Sequence, residues 1–104
     1  MKRVIYAGGS FLTDDAVAAG LTSYAAELAR ANSADTVTVP GLSDDGDARD
    51  IELLLGPASQ IMIEDAEELG AVDSRDFVND IQRRSDELRP PEGGLSGATF
   101  FDPL

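Results

Sequence analysis

The sequence predicts a single α/β domain in which two helices pack on a mixed β-sheet. Three observations indicate this class. A short apolar strand at residues 3–7 leads through Gly8-Gly9-Ser10 into a long amphipathic helix, which is the first half of a β-α-β unit. An alternating β-branched run follows at residues 36–39. A second helical pattern covers residues 75–89 and ends before a proline pair.

The first helix is predicted from its cap and from its apolar stripe. Thr13 is a suitable N-cap, and two carboxylates in the next turn complement the helix dipole. The apolar side chains recur at helical spacing, so that they share one face of the helix. They are Val17, Leu21, Tyr24 and Leu28. We expect this face to cover the central strands of the sheet.

Residues 48–55 fit two descriptions, and the topology depends on which one holds. As a strand, the segment places Ile51, Leu53 and Leu55 on one face after the Asp45-Gly46 turn. As a helix, it is capped by Asp47 and ends at Gly56. The strand predicts a two-layer β-α-β-β-β-α sandwich whose first two strands are parallel, with a further strand at residues 60–64. The helix predicts a small doubly wound β-α-β-α-β-α sheet.

The chain divides into one α/β domain, residues 1–89, and an irregular C-terminal tail, residues 90–104. The second helix carries Phe77, Ile81 and Leu88 on its apolar stripe. The tail is rich in glycine and proline, and Phe100-Phe101 is its apolar anchor. We expect this pair to dock, either on the sheet of its own chain or on a second copy.

Composition bounds the partners of the protein. The net charge of −12 comes from 20 acids against 8 bases, which disfavours binding to nucleic acid or to an anionic membrane. We therefore expect no nucleic-acid and no membrane partner, but either self-association or a basic protein partner. The apolar run after Met1-Lys2-Arg3 is too short for a signal peptide, which predicts a cytoplasmic protein.

The residue inventory argues against an enzyme. The chain has no histidine and no cysteine, which removes the commonest general base, thiol catalysis and the usual zinc ligands. Carboxylate pairs remain for acid–base chemistry, but 20 acids single out no pair. We expect no cofactor.

Two segments are candidate binding sites. Gly8, Gly9 and Ser10 follow a strand and precede a helix, where glycine backbone amides can approach an anion, although an ordinary strand-to-helix turn explains them as well. The second candidate is a rim of carboxylates at one end of the sheet, which would bind a divalent cation or a basic partner. Mutual repulsion there would raise some carboxyl pKa values. The predicted rim consists of Asp14, Asp15, Asp44, Asp45, Asp47, Glu64 and Asp65.

Three functions are compatible with these features. The first is a non-enzymatic protein-interaction module, of which a homodimer is one form. The second is a small-ligand or cation site at the acidic end of the sheet. The third is an acidic inhibitor, or immunity-type protein, that covers a basic partner.

Overall fold

A computed structural model describes residues 1–88 of the chain. It contains five strands and two helices. In chain order they are β1 (Lys2–Tyr6), β2 (Gly9–Thr13), α1 (Asp15–Arg30), β3 (Asp35–Leu42), β4 (Ala48–Leu55), β5 (Ile61–Asp65) and α2 (Arg75–Leu88). The predicted α/β class is therefore confirmed.

The five strands form one sheet in the order β4-β3-β2-β1-β5. Every neighbouring pair is antiparallel, so the predicted mixed sheet is wrong, and so is the doubly wound alternative. The reason is the second strand, β2, which the sequence analysis did not identify. The segment after the first glycines turns back along β1 instead of entering a helix, and Tyr6 pairs with Gly9.

The strand interpretation of residues 48–55 is confirmed, because the whole segment pairs with β3 from Asp35–Leu55 to Leu42–Ala48. Strand β3 passes through Pro40 and Gly41 instead of ending there. By contrast, β2 and β3 are paired at a single position, Leu12 with Leu42. The sheet therefore consists of a β5-β1-β2 part and a long β3-β4 hairpin, which are paired at one ladder position.

Helix α1 buries the predicted stripe, since Val17, Leu21, Tyr24 and Leu28 are all in the core. Its N-cap is Asp14, whose side chain accepts a hydrogen bond from the Val17 amide at 2.8 Å. The predicted cap, Thr13, belongs to β2 instead. It is fully buried and donates its hydroxyl proton to the Pro40 carbonyl, with 2.9 Å between the oxygens.

The core lies between the two helices and the inner face of the sheet. In β1 the inward side chain is Val4, whereas Ile5 is half-buried on the other face. A Cβ at Gly20 of α1 would be 3.7 Å from the ring of Phe77, so this glycine faces α2. Helix α2 completes the core with Phe77 and Ile81.

Neither helix among residues 1–88 combines the length and the apolar character that a bilayer crossing requires.

Candidate functional site

A groove of about 610 Å³ opens at the end of the sheet where β1 ends and β4 leads into β5. Three further grooves on the described residues are smaller, at about 310, 340 and 390 Å³. We call the large one the uncharged groove, because none of its lining residues is charged. They are Tyr6, Ala7, Gly8, Ala34, Leu54, Leu55, Gly56, Pro57, Ala58, Ser59 and Gln60.

One wall of the uncharged groove is the turn of the β1-β2 hairpin. Its two central residues, Ala7 and Gly8, have φ angles of 52° and 83°. Two-residue hairpin turns of type I′ need positive φ at both positions, because only that backbone matches the twist of the strands. Both residues are exposed, so the wall presents backbone and a methyl group to an incoming molecule.

The opposite wall is the β4-β5 connection. A turn is closed by the Ser59 amide, which donates to the Gly56 carbonyl at 3.1 Å. The Ser59 side-chain oxygen in turn accepts from the Gly56 amide at 2.9 Å. The side chain of Leu54 is 62% exposed, more than any other large apolar side chain among residues 1–88.

Tyr6 joins the two walls. Its hydroxyl donates a hydrogen bond to the Leu54 carbonyl and lies 3.3 Å from the Ser59 hydroxyl oxygen. The phenol thereby fixes the end of β1 to the end of β4, which are not neighbours in the sheet order. The polar groups of the groove thus hold its walls together, and its open surface is mostly apolar.

The three residues of the predicted anion site, Gly8, Gly9 and Ser10, do not form one strand-to-helix turn. Gly8 lies in the hairpin turn, whereas Gly9 and Ser10 belong to β2. Strand β2 separates them from the start of α1 at Asp15, so these glycines do not lie at a helix N-terminus. The geometric premise of a phosphate cradle is therefore wrong, and Gly8 instead lines the uncharged groove.

Several acids of the predicted rim lie at the opposite end of β1, beside its first residues. The Arg3 guanidinium is 2.8 Å from Asp44, Lys2 pairs with Asp65, and the Met1 amine is 3.5 Å from Asp15. Glu64 is opposite Arg3 in the β1-β5 ladder. Asp14 caps α1, and Asp45 and Asp47 lie in the β3-β4 turn region.

These contacts pair individual acids with individual cations. The Lys2 ammonium donates to Asp65 and holds the pKa of that carboxyl below its usual value, the reverse of the shift that mutual repulsion would cause. Among residues 1–88, no three Asp or Glu side chains are grouped so that they could hold a metal ion. Gly8 and Gly56 line the uncharged groove together, at the end of β1 away from these ion pairs.

A second polar cluster links α1, β3 and α2. The Tyr24 hydroxyl donates to Asp35 at 2.6 Å, and Arg84 donates to the same carboxylate oxygen at 2.7 Å. Arg84 also donates to the Thr36 carbonyl at 3.2 Å and to Asp80 at 2.8 Å. Tyr24, Asp35 and Arg84 each have a partner from another element, which indicates a structural role.

Burial raises the pKa of Tyr24 to about 12, and its hydrogen bond to the Asp35 carboxylate adds to the shift. For Asp35, burial by itself raises the pKa. The hydrogen bonds from Tyr24 and Arg84 outweigh burial and hold the pKa below its ordinary value. The cluster is thus most stable as a neutral phenol beside a charged carboxylate and guanidinium.

Tyr6, Leu54 and Ser59 are site residues that the sequence pattern did not indicate. Small residues at 56–59 are typical of a turn, but their sequence does not show which part of the chain the turn faces. Phe100 and Phe101, the predicted interaction residues, lie outside the described residues.

No protein-family model, curated protein or solved structure matches this chain.

Proposed function

We propose that this chain is a non-enzymatic protein-interaction module that binds an uncharged, apolar segment of a partner in the uncharged groove. One observation carries the proposal. None of the eleven residues that line the groove is charged, although charged residues make up 27% of the sequence. Depletion of charge at the centre of a surface patch is the compositional mark of protein interfaces.

The chemistry of the groove supports a binding role. Leu54 offers an exposed aliphatic side chain, and Pro57 and Ala58 add exposed apolar surface next to it. Burying such surface against an apolar partner contributes about 25 cal/mol for each Å² removed from water, and the loss of translational and rotational freedom on association opposes this gain. The Tyr6 and Ser59 hydroxyls are already engaged with the β4-β5 connection, so the shape of the groove is set before a partner arrives.

A basic partner is the second candidate, and a different groove favours it. This groove of about 340 Å³ has four acids on its lining, together with Thr38, Pro40 and Phe77. The acids are Asp50, Asp73, Asp76 and Asp80. However, Arg75 pairs with Asp73, and Arg83 and Arg84 pair with Asp80, which reduces the charge available to a partner. We therefore rank this function below the first.

A peptide-display selection on the immobilised full chain tests the proposal and separates the two candidates. The uncharged groove should select peptides rich in aliphatic and aromatic residues, with binding that depends little on salt. Leu54→Glu should abolish binding, because it places a charge in the groove. Met62→Glu is the matched control, since Met62 is 58% exposed on a strand and does not line the groove.

Lysine- and arginine-rich peptides, lost at high salt and insensitive to Leu54→Glu, would replace the first function with the second. Equal losses for Leu54→Glu and Met62→Glu would reject the groove as the binding surface.

A further inference from the structure

We propose that the segment of this same chain that contains Phe100 and Phe101 docks in the uncharged groove and competes there with a partner. This inference rests on the proposed function for its regulatory consequence, but docking of the segment does not require that an external partner exists. Three observations support it: the position of the last described residue, the length of the chain beyond it, and the match in charge.

The end of α2 fixes the point at which the segment that contains Phe100 and Phe101 begins. Leu88, the last residue of α2, lines a groove of about 390 Å³ that also includes Ala34. Ala34 lines the uncharged groove as well, and a Cβ at Gly56 would be 3.5 Å from the Ala34 methyl group. The chain therefore leaves α2 at a site that shares a wall with the uncharged groove.

The chain that follows is long enough to enter the groove. Eleven residues lie between Leu88 and Phe100, which makes twelve residue-to-residue steps. Fully extended, such a segment reaches about 40 Å, and a glycine-rich chain of that length spans about 19 Å on average. Because Ala34 lines both the groove beside Leu88 and the uncharged groove, a segment of this length can extend from Leu88 into the uncharged groove. A short linker also gives an effective concentration on the order of millimolar, which favours docking within one chain over docking between copies.

The segment and the groove match in charge. Residues 93–101, Gly-Gly-Leu-Ser-Gly-Ala-Thr-Phe-Phe, contain no charged residue, whereas the rest of the chain carries a net charge of −12. The groove lining is likewise uncharged. Carboxylates elsewhere on the surface would have to lose water to receive a phenylalanine, at a cost that the uncharged groove does not impose. Among the four grooves described, this is the one with no charged lining residue.

Amide NMR spectra of the full chain and of the double variant Phe100→Ser/Phe101→Ser test the docking. The variant should shift amide resonances of groove residues, such as Ala7, Gly8 and Gly56, because ring-current effects of the two phenylalanines are lost. The matched control, Leu104→Ser, changes an apolar residue outside the uncharged run and should leave these resonances unchanged. The differences should be the same well below and near the ~1 mM effective concentration of a short linker.

If the differences between the two spectra disappear on dilution, the segment docks on a second copy, and the proposal of docking within one chain is overturned. It is equally overturned by shifts that map elsewhere on residues 1–88, or by no shifts at all.

The regulatory consequence is measured with a peptide selected on the groove. If the segment occupies the groove in about 90% of molecules, the double variant should bind that peptide about ten times more tightly than the unchanged chain. Equal affinity would remove the regulatory role. Groove-binding peptides without NMR shifts would reject the docked segment and leave the proposed function standing. NMR shifts at the groove without any groove-binding peptide would reject the proposed function and leave the docked segment standing.

Discussion

Ala7 holds a backbone conformation that alanine adopts at a cost. Its φ angle of 52° is left-handed, a region in which a Cβ atom costs roughly 1–2 kcal/mol. Ala7→Gly should therefore raise the free energy of unfolding by about 0.5–1 kcal/mol, the part of this cost that remains after the extra entropy of glycine in the unfolded chain. Urea titration followed by circular dichroism measures the change.

The reverse substitution, Gly8→Ala, can be made at the next position of the same turn. Its φ angle is 83°, and a Cβ added there would meet no heavy atom within 4 Å. Gly8→Ala should lower the free energy of unfolding by about 0.5–1 kcal/mol, because the lower entropy of alanine in the unfolded chain offsets part of the left-handed cost. If both substitutions changed stability in the same direction, the left-handed turn would not be what determines it.

Tyr24 should make stability fall at alkaline pH. An unfolded tyrosine loses its proton near pH 10, whereas folding raises the pKa of Tyr24 to about 12, through burial and the Asp35 carboxylate. Between these values the folded state binds more protons than the unfolded state, so the contribution is complete below pH 10 and is lost as pH rises to about 12. The expected loss is about 3 kcal/mol, because each pKa unit corresponds to about 1.4 kcal/mol.

Denaturant titrations between about pH 9 and 12 measure this loss, and Tyr24→Phe should flatten the profile because it removes the ionisable group. The chain has two tyrosines, so Tyr6→Phe leaves Tyr24 as the only phenol whose ionisation absorbance changes. A midpoint near 10 in that variant would contradict the predicted shift.

At the level of elements, the helices could be predicted from the sequence because their signals are long. Val17, Leu21, Tyr24 and Leu28 repeat over three turns of α1, and all four are buried. Strand β2 gives no comparable signal, since Gly9–Thr13 is five residues long and begins with glycine. The preceding turn is Ala7-Gly8, not the Asn-Gly pair that marks such hairpins.

That one missed strand explains why the predicted parallel pairing of the first two strands is wrong. Strand β2 lies between β1 and β3 in the sheet and is antiparallel to both. The uncharged groove was unpredictable for a related reason, because Tyr6 and Leu54 are 48 residues apart and meet through a tertiary contact. The local ion pair of Asp80 with Arg84, by contrast, follows from helical spacing and is present.

The stability of the protein should be sensitive to one methyl group added where β2 meets β3. A Cβ at Gly41 would lie 2.8 Å from both the Leu12 carbonyl oxygen and the ring of Phe11. Gly41 is next to Leu42, which pairs with Leu12 at the one ladder position between the two parts of the sheet. Gly41→Ala should therefore cost about 1–3 kcal/mol, as overpacking of a core does. Thermal unfolding measures the loss.

Gly9→Ala is the control for this substitution, because its Cβ would meet the Tyr6 carbonyl oxygen at an ordinary 3.8 Å. Equal losses at Gly41 and Gly9 would show that the loss is a general cost of replacing glycine in these strands.

At the scale of the whole molecule, several basic groups form ion pairs with individual carboxylates. The Met1 amine, Lys2 and Arg3 bind acids at the start of β1, and Arg84 joins α2 to β3. Most of these pairs are exposed, where an ion pair contributes about 0–1 kcal/mol. The excess of acids, 20 against 8 bases, is therefore not offset by its ion pairs, and net repulsion opposes the compact state.

Salt should consequently stabilise this protein. Sodium chloride from about 0.01 M to about 1 M shortens the screening length from ~30 Å to ~3 Å, which weakens the repulsion summed over the surface more than it weakens close pairs. Chloride is the suitable anion, because sulfate also strengthens apolar burial.

The double variant Asp45→Asn/Asp47→Asn removes two exposed charges from the β3-β4 turn region, neither of which has an ion-pair partner among residues 1–88. It should be more stable than the unchanged chain at low salt and should gain less from added salt. A free energy of unfolding that falls as sodium chloride is added would show instead that the ion pairs around β1 and α2 outweigh the net charge.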